Sequence, residues 1–477
     1  MKDSFTHFKL DDKIMKSIKE LGFKKPTPIQ NKVIPHLLLS NQDLIATAQT
    51  GTGKTAAFGL PLLQLTDTNS NKIQTLILCP TRELCLQIGK DLSTYSKYLK
   101  NINTLSVYGG AKIDKQIRSL KKGPQIIVGT PGRTKDLIKR KKLFLGNIKR
   151  LVLDESDEML SMGFKDDLEF IIKSASKEKQ ILLFSATMNS KVDAVTKKYM
   201  KNSLKISVAS VNRAAENVDH IFYMVQARDR YEVVKRIADM NPNVYGIVFC
   251  RTRKETKEVA NKLMNDHYNA DTIHGDLTQN ERDDVMRRFR KRQLQILVAT
   301  DVAARGLDVE DLTHVINYNL PDDDEIYVHR SGRTGRAGKN GISIAIIHGR
   351  EHRRIKEIER KSGISFKKQS VPNGLEICKK RLYTLIDKIE RVKVNENQIE
   401  QFLPYIYDKL SWLDREQLIK HFVSTEFNRY LSYYRDARDI NIESHGREKV
   451  HRKKPKRKRR KFYGSKKNRR NSRRKSS

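Results

Sequence analysis

Four acidic side chains follow one short apolar run in the middle of the chain, in the segment LVLDESDEMLS at residues 151–161. They are Asp154, Glu155, Asp157 and Glu158. Burying so much negative charge is unfavourable unless a cation or several hydrogen-bond donors compensate it. The carboxylates therefore either lie in solvent at the end of a strand or face a metal ion or a basic group. This segment alone is consistent with both interpretations.

A second segment, AQTGTGKT at residues 48–55, offers a phosphate cradle and a cation. It lies between the apolar run DLIATA and a helical pattern, which is the strand–loop–helix setting of a phosphate-binding loop. Glycines let the backbone close around phosphates, and the N–H groups at the start of the following helix point at the anion. The usual first glycine is replaced by alanine. The predicted phosphate-binding residues are Ala48, Gln49, Thr50, Gly51, Thr52, Gly53, Lys54 and Thr55.

The two segments together predict a nucleotide site that uses magnesium. Mg²⁺ prefers carboxylates, waters and phosphate oxygens, so we predict Thr55, Asp154 and Glu155 as the metal site. Lys54 would reach the outer phosphates. Glu155 would orient and deprotonate the water that attacks the γ-phosphate. We expect Glu158 to be solvated.

The charge of the chain points to a polyanionic partner. The formal net charge is +39, and residues 447–477 hold 18 of the 95 Lys and Arg with a single acidic residue. Nucleic acid is the expected partner ahead of an anionic membrane. The alternative for this tail is a merely solubilising charge. We expect the tail to be disordered.

Other features of the composition favour a cytoplasmic protein. No apolar run approaches the length of about 18–20 residues that a membrane span needs. The stretch MKDSFTHFKL has no apolar signal-peptide region. The four cysteines form no CxxC pair, which is typical of reduced core residues.

Strand patterns alternate with helical patterns along most of the chain, which predicts parallel sheets covered by helices. We expect an α/β fold with two tandem domains at 1–207 and 208–372, joined by a linker around 205–220. The strand candidates are DLIATA, TLILCP, TLSVYG, QIIVGT, RLVLDE and ILLFSAT in the first domain, and YGIVFCRT, ADTIHG, LQILVATD, HVINYNLP and GISIAIIHG in the second.

Helical patterns alone follow Pro372, which predicts a small α-helical region at 373–446 before the tail at 447–477. One predicted apolar helix face comprises Ile399, Phe402, Leu403, Ile406, Tyr407 and Leu410, and a second comprises Leu418, Ile419, Phe422, Val423, Phe427, Tyr430 and Leu431. Asn395 with Gln398, and Asp414 with Gln417, resemble capping boxes. We expect Trp412 to be a core residue.

The order of the motifs over residues 5 to about 350 resembles that of the DEAD-box RNA helicase family, and its bacterial cold-shock and ribosome-assembly branch in particular. The matching segments are GFKKPTPIQ (22–30) with Phe5 upstream, AQTGTGKT (48–55), PTREL (80–84), GG (109–110), TPGR (130–133), DESD (154–157), SAT (185–187), VFCRTR (248–253), QNER (279–282), TDVAARGLD (300–308) and HRSGRTGR (329–336).

The resemblance implies two RecA-like domains with ATP and Mg²⁺ bound between them. Arg333 and Arg336 would be arginine fingers on the γ-phosphate, and Gln30 would bind the adenine edge. Further implied nucleotide-binding residues are Phe5, Phe23, Thr27 and Asp308. The residues implied to couple the domains are Asp157, Ser185, Thr187 and His329.

The resemblance also implies that RNA is bound through its sugar–phosphate backbone, without sequence preference. The matching positions are Pro80, Thr81, Arg82, Gly110, Thr130, Gly132, Arg133, Arg251, Arg282, Thr300 and Arg305. Unwinding would be local, and the RNA would be a ribosomal precursor or mRNA. The helical region would be either a bundle packed on the second domain or a dimerisation module, as some bacterial relatives carry.

Three positions depart from the family pattern. Ser156 replaces alanine in DEAD, Asn319 stands where aspartate is common, and Ser331 stands where an apolar residue is frequent. An RNA chaperone or annealing scaffold that acts through the tail is the second hypothesis. A DNA helicase is a weaker third one.

Overall fold

A computed structural model describes residues 4–48, 51–208, 217–304, 309, 312–335 and 339–442. Five predicted site residues lie outside these ranges: Gln49, Thr50, Arg305, Asp308 and Arg336. The basic tail at 447–477 also lies outside them.

The first domain is built on a seven-stranded sheet in which every pairing is parallel. Its spatial order is β3-β4-β2-β5-β6-β1-β7. The strands are β1 (Leu44–Thr47), β2 (Thr75–Leu78), β3 (Thr104–Val107), β4 (Ile126–Gly129), β5 (Arg150–Leu153), β6 (Gln180–Ser185) and β7 (Leu204–Ser207).

The second domain repeats this topology with strands of its own. Its order, β10-β11-β9-β12-β13-β8-β14, is that of the first sheet with seven added to each number, and its pairings are also parallel. The strands are β8 (Val218–Met224), β9 (Gly246–Cys250), β10 (Ala270–Ile273), β11 (Ile296–Thr300), β12 (His314–Asn317), β13 (Gly341–Ile347) and β14 (Lys367–Gln369).

Helices connect the strands and cover both sheets. In the first domain they are α1 (Asp12–Glu20), α2 (Pro28–Leu39), α3 (Lys54–Gln64), α4 (Arg82–Tyr95), α5 (Ile113–Leu120), α6 (Pro131–Lys139), α7 (Ser156–Ser161), α8 (Lys165–Ser174) and α9 (Ser190–Tyr199). In the second they are α10 (Arg230–Met240), α11 (Arg253–Asn265), α12 (Gln279–Arg290), α13 (Asp301–Ala304), α14 (Asp324–Ser331) and α15 (His352–Ser362). Short 3₁₀ helices cover Phe5–Phe8, Ala227–Asp229 and Gly349–Glu351.

Central strands are buried on both faces, so successive side chains enter two different cores. Along β5, Val152 packs into one apolar cluster of the first domain, whereas Leu151 and Leu153 pack into the other. Strands covered on both faces are expected to be near-continuous apolar runs. The predicted runs coincide with eleven of the fourteen strands, and the α/β fold class with two parallel-sheet domains is confirmed.

Three strands were not among the predicted runs. β7 and β14 are edge strands with mostly exposed side chains, so neither needs an apolar sequence. β7 ends inside the stretch assigned to a linker, and β8 begins inside it. Of that predicted linker, residues 209–216 lie outside the described ranges.

The C-terminal helices are α16 (Gly374–Arg391), α17 (Glu396–Ile399), α18 (Leu403–Leu410) and α19 (Arg415–Tyr434), with a 3₁₀ turn at Glu400–Phe402. Ile377 and Phe427 are buried in a small cluster that Met240 of α10 joins. Arg381 donates to Asp239 at 2.9 Å, and Tyr434 donates to the same carboxylate at 2.5 Å. The helical region is therefore anchored on the second domain.

Several sequence predictions for this region were wrong. The face predicted over 399–410 is broken into three short elements, and Tyr407 is exposed. Asn395 makes no side-chain cap, whereas the box of Asp414 and Gln417 is confirmed. Trp412 is 69% exposed, with its ring edge-on to that of His421, so it is not a core residue.

No helix among the described residues has the length and apolar character needed to span a membrane.

Candidate nucleotide and RNA sites

The carboxyl ends of each sheet divide into two halves. In the first domain, β1, β5 and β6 are neighbours and lead into the phosphate loop, DESD and SAT. On the other half, β3, β4 and β2 lead into GG, TPGR and PTREL. In open α/β sheets, ligands bind outside the carboxyl ends of the strands. The predicted ATP residues and the predicted RNA residues thus occupy adjacent halves of one edge.

The two glycines of the phosphate loop have the backbone conformation that the sequence predicts. Gly51 and Gly53 have φ of 80° and 86°, in the left-handed region that favours glycine. A Cβ on Gly53 would also come within 2.5 Å of Gln30 Nε2. Lys54 begins α3, is 7% exposed, and donates through Nζ to the Ala48 carbonyl at 3.0 Å. Thr52 and Thr55 lie in the same turn, half-buried.

The acidic cluster is buried, which excludes the solvated interpretation. Asp154 is 3% exposed and directly follows β5. Burial raises the pKa of Asp154 to about 6, against the opposing effect of the nearby Lys54 ammonium. Glu155 has φ of 49°, a strained backbone for a residue with a Cβ, at the N-terminus of α7. Lys54 is thus one of the cations that face the cluster.

The segment GFKKPTPIQ packs against the phosphate loop. Gln30 is 3% exposed, accepts a hydrogen bond from Thr27 N at 2.9 Å and donates to the Gly53 carbonyl at 3.1 Å. A carboxamide keeps one further N–H and one lone pair for a base. Phe5 is buried against Phe23 at 5.9 Å between ring centroids, so it supports the site from the core. Phe23 alone of the two keeps a partly exposed ring.

The four predicted coupling residues come together across the two domains. Asp157 Oδ2 accepts from Thr187 N and Oγ1, each at 3.0 Å, and lies 3.7 Å from His329 Nε2. Ser185 donates to the Thr187 carbonyl at 2.6 Å. His329 belongs to the second domain, and the other three belong to the first.

The prediction that Glu158 is solvated was wrong. Its side chain is 8% exposed, and Oε1 contacts His329 Nδ1. The imidazole therefore lies between Glu158 and Asp157. Burial alone would lower the pKa of His329, but the hydrogen bond to Glu158 and the neighbouring charges of Asp157, Glu158 and Glu155 raise it overall. His329 is the second group that compensates the acidic cluster.

Arg330 and Arg333 of the segment HRSGRTGR are buried. Arg330 is 3% exposed and forms a bidentate pair with Asp301 at 2.5 and 2.8 Å. It also donates to Asn317 Oδ1 at 2.9 Å. Arg333 is 9% exposed and lines a small cavity together with Glu158 and His329.

On the RNA half of the first domain, the arginines are held in fixed positions. Arg82 lies over the Tyr108 ring at 5.0 Å. Arg133 donates to the Ala111 carbonyl and to Gln116 Oε1 at 3.1 Å. The remaining predicted residues lie in the same turns: Pro80, Thr81 and Gly110 follow β2 and β3, and Thr130 and Gly132 follow β4.

In the second domain, the strands that correspond to β3, β4 and β2 are β10, β11 and β9, and their carboxyl ends form its RNA half. Arg251 follows β9 and Thr300 ends β11. Arg251 pairs with the exposed Asp322 at 3.0 Å. Arg282 of α12 donates to the Ala303 carbonyl at 2.7 Å.

Two ion pairs join the RNA halves of the two domains. Arg82 lies 3.0 Å from Asp283, and Arg282 lies 3.1 Å from Glu83. Arg82 and Arg282, which are predicted RNA residues of different domains, are therefore next to one another.

The three departures from the family pattern have structural partners. Ser156 donates to the Phe184 carbonyl at 3.3 Å. Asn319 accepts from Arg251 N at 3.0 Å and donates to Glu255 at 3.1 Å. Ser331 donates to the Val328 carbonyl at 3.0 Å.

The sequence analysis missed four residues that connect the domains: Glu83, Asn189, Asp283 and Glu325. Glu325 Oε2 accepts from Thr187 Oγ1 at 3.2 Å and from Asn189 Nδ2 at 3.1 Å. Glu325 and His329 are four residues apart on one helix and so share a face. That spacing is the sequence feature that could have identified Glu325.

Three family models match the chain. The DEAD/DEAH box helicase model matches residues 27–195, and the helicase conserved C-terminal domain matches 229–338. A model described as the helical domain of a probable ATP-dependent RNA helicase matches 377–435.

Curated relatives cover most of the chain. ATP-dependent RNA helicase CshA of Listeria monocytogenes is 45% identical over 393 residues, which is 82% of this chain and 75% of the relative. DEAD-box ATP-dependent RNA helicase CshA of Bacillus subtilis is 41% identical over 400 residues, which is 84% of this chain and 80% of the relative.

Solved structures share the two-domain fold. Dbp5 of S. cerevisiae bound to RNA and ADP BeF3 superposes with a TM-score of 0.72 at 31% identity, over 80% of this chain and all of that one. Mss116p bound to ssRNA and AMP-PNP gives a TM-score of 0.70 at 29% identity, over 89% of this chain and 86% of that one. With the motifs, the two sheets and the relatives in agreement, the chain belongs to the DEAD-box family of ATP-dependent RNA helicases.

Proposed function

We propose that this helicase couples ATP hydrolysis to closure of its two domains on single-stranded RNA and thereby unwinds structured RNA locally. One observation carries the proposal. Thr187 of the first domain donates to Glu325 of the second at 3.2 Å, and the buried Asp157 carboxylate lies 3.7 Å from His329 Nε2. Closure would thus complete the nucleotide site and align the RNA halves together.

Each nucleotide-site residue has a role in this proposal. Lys54 would neutralise the outer phosphates, and Thr55 and Asp154 would hold Mg²⁺, directly or through water. A buried carboxylate next to a glycine cradle is the donor set that Mg²⁺ with a nucleotide needs. Glu155 would take the proton of the attacking water, and Arg333 would stabilise charge on the γ-phosphate.

RNA would be held by its backbone. The similar Dbp5 and Mss116p structures each contain bound RNA. Arg82 and Arg133 would contact phosphates from the first domain, and Arg251 and Arg282 from the second. Such contacts carry no base information. Ribosomal precursors and mRNA are the proposed substrates, and crosslinking followed by sequencing of the bound RNA would identify them.

Replacing Lys54 separates this function from that of an RNA chaperone that uses ATP only secondarily. Lys54→Ala should abolish RNA-stimulated phosphate release and strand separation together, because the buried ammonium has no substitute. Lys72→Ala, at an exposed position before β2, should change neither. Strand separation that persists in Lys54→Ala would favour the chaperone.

The basic tail is proposed as an auxiliary electrostatic anchor. For single strands, log K falls with log salt by about 0.7 per phosphate contact. Deleting 447–477 should weaken RNA binding most at low salt and make the slope shallower, equally for two unrelated RNAs. Equal slopes with and without the tail would contradict this role.

We also propose that the C-terminal helical region dimerises through its uncovered apolar side chains. Phe402, Tyr405, Trp412, Ile419 and Phe422 are each between 49% and 69% exposed. Exposed apolar patches of this kind are typical of protein interfaces. Sedimentation of a chain ending at residue 446 tests this. A monomer at micromolar concentration would contradict dimerisation and favour a bundle that only packs on the second domain.

A further inference from the structure

Helix α14 contacts the first domain through two carboxylates that belong to no named motif. Glu325 stands at its start and contacts the SAT turn, while His329, one turn later, contacts Glu158 of α7. In the first contact, the carboxylate belongs to the second domain and its partner to the first. In the second contact, the carboxylate belongs to the first domain and its partner to α14. The helix is therefore held at two points.

At the first point, Glu325 and Asp157 share only one of their hydrogen-bond donors. The Thr187 hydroxyl lies 3.0 Å from Asp157 Oδ2 and 3.2 Å from Glu325 Oε2, and its single hydrogen can serve only one of them at a time. Thr187 N supplies Asp157 independently at 3.0 Å. Asn189 Nδ2 supplies Glu325 at 3.1 Å. Each carboxylate thus keeps one donor of its own and shares the hydroxyl.

At the second point, the pairing between Glu158 and His329 is buried. The side chains are 8% and 17% exposed. A buried charge that loses its partner costs far more than an exposed one. This contact joins the two domains, so it is lost when they separate.

We propose that Glu158 and Glu325 are positioning residues, which fix α14 on the first domain and so place Arg333 for hydrolysis. The inference rests on the proposed closure mechanism and adds two residues to it. Arg333 lies two residues beyond the end of α14 and shares a small cavity with Glu158 and His329. A shift of α14 would therefore move Arg333 as well.

The first point is tested by reversing the hydrogen bond in which Asn189 donates to Glu325. Asn189→Asp keeps the cap on α9, where the side-chain Oδ1 of Asn189 accepts from Val192 N at 3.1 Å, since aspartate caps as well as asparagine. It also places a second carboxylate against Glu325. The gain in single-stranded RNA affinity caused by a non-hydrolysable ATP analogue should fall by about tenfold. Adding Glu325→Gln should restore most of that gain, because the carboxamide can donate to the introduced carboxylate.

Glu158→Gln tests the second point. It should reduce the same gain by about tenfold and lower kcat at saturating RNA, while the affinity for the analogue without RNA stays unchanged. Glu169→Gln and Glu357→Gln are matched controls, because these carboxylates pair with Lys198 and Arg354 inside their own domains. Neither control should alter the gain.

The outcomes separate this inference from the proposed function. If the wild-type chain shows no analogue-dependent gain in RNA affinity, the closure mechanism itself fails. If the gain exists but Asn189→Asp and Glu158→Gln leave it intact, the positioning role is overturned. It is also overturned if Asn189→Asp lowers the gain and Glu325→Gln does not recover it, since loss without recovery indicates a local structural defect.

Discussion

The two sets of contacts between the domains differ in burial. On the nucleotide side, the side chains of Asp157 and Glu158 are 2% and 8% exposed. On the RNA side, the Arg82–Asp283 pair is the more exposed one, at 20% and 52%, whereas Arg282 and Glu83 are 17% and 15% exposed. Exposed ion pairs contribute at most about 1 kcal/mol, whereas loss of one partner of a buried pair costs about 3–5 kcal/mol.

This difference suggests that the contacts on the two sides serve different steps. Buried contacts demand one geometry and suit a step that must be all-or-none, such as assembly of a catalytic site. An exposed pair exchanges easily with other partners, so Arg82 can pass from Asp283 to a phosphate at little cost. Variants on the nucleotide side should therefore change rates strongly, and those on the RNA side should change affinity weakly.

The largest effect is expected at Arg333. Arg333→Ala should lower kcat by about 10³-fold, because an arginine finger acts on charge that develops in the transition state. Nucleotide affinity should change little. Single-turnover phosphate release and analogue binding measure the two quantities separately. An equal loss in both would assign Arg333 to ground-state binding.

Glu155→Gln should lower kcat by about 10²-fold while the variant still binds ATP and RNA. The carboxamide keeps the size of the side chain but cannot take a proton from water. Phosphate release and retention of labelled RNA with ATP check the prediction. Glu178→Gln, at an exposed position before β6, is the control. Normal turnover in Glu155→Gln would show that Glu155 is not the general base.

Coupling should also depend on pH through His329. Its pKa is raised when Glu158 and Asp157 flank it, so closure takes up a proton. The contribution is fully present below the ordinary pKa of about 6.5 and is lost as pH rises through the raised value. The analogue-dependent gain in RNA affinity should therefore decrease with pH above about 6.5. His329→Gln should flatten this dependence, and an unchanged profile would contradict the assignment.

The smallest effect is expected on the RNA side. Asp283→Asn removes the pair with Arg82 and should tighten RNA binding without nucleotide by no more than about fivefold, in keeping with an exposed pair. Asp284→Asn is the matched control, since Asp284 pairs with Arg287 and Arg288 of its own helix. Weaker binding in Asp283→Asn would mean that the carboxylate orients Arg82 for RNA.

The sequence predicted the features that depend on local pattern. Buried strands require apolar runs, and the phosphate loop requires Gly51 and Gly53, so both were identifiable without a structure. Glu158 and Trp412 were misjudged because their burial depends on whether another element covers them, which no local pattern encodes. Asp283 and Glu325 were missed for the same reason, since their partners are about 200 and 140 residues away.

The central claim is that the buried network around Asp157 links nucleotide binding to RNA binding. Asp157→Asn keeps the shape of the side chain but removes the charge that accepts from Thr187 and faces His329. The deciding measurement is the affinity for one single-stranded RNA with and without a non-hydrolysable ATP analogue, in the wild type and in Asp157→Asn. The account predicts that the analogue strengthens RNA binding in the wild type and that this gain falls by about tenfold or more in the variant, with nucleotide-free RNA affinity unchanged. An undiminished gain in Asp157→Asn would contradict it.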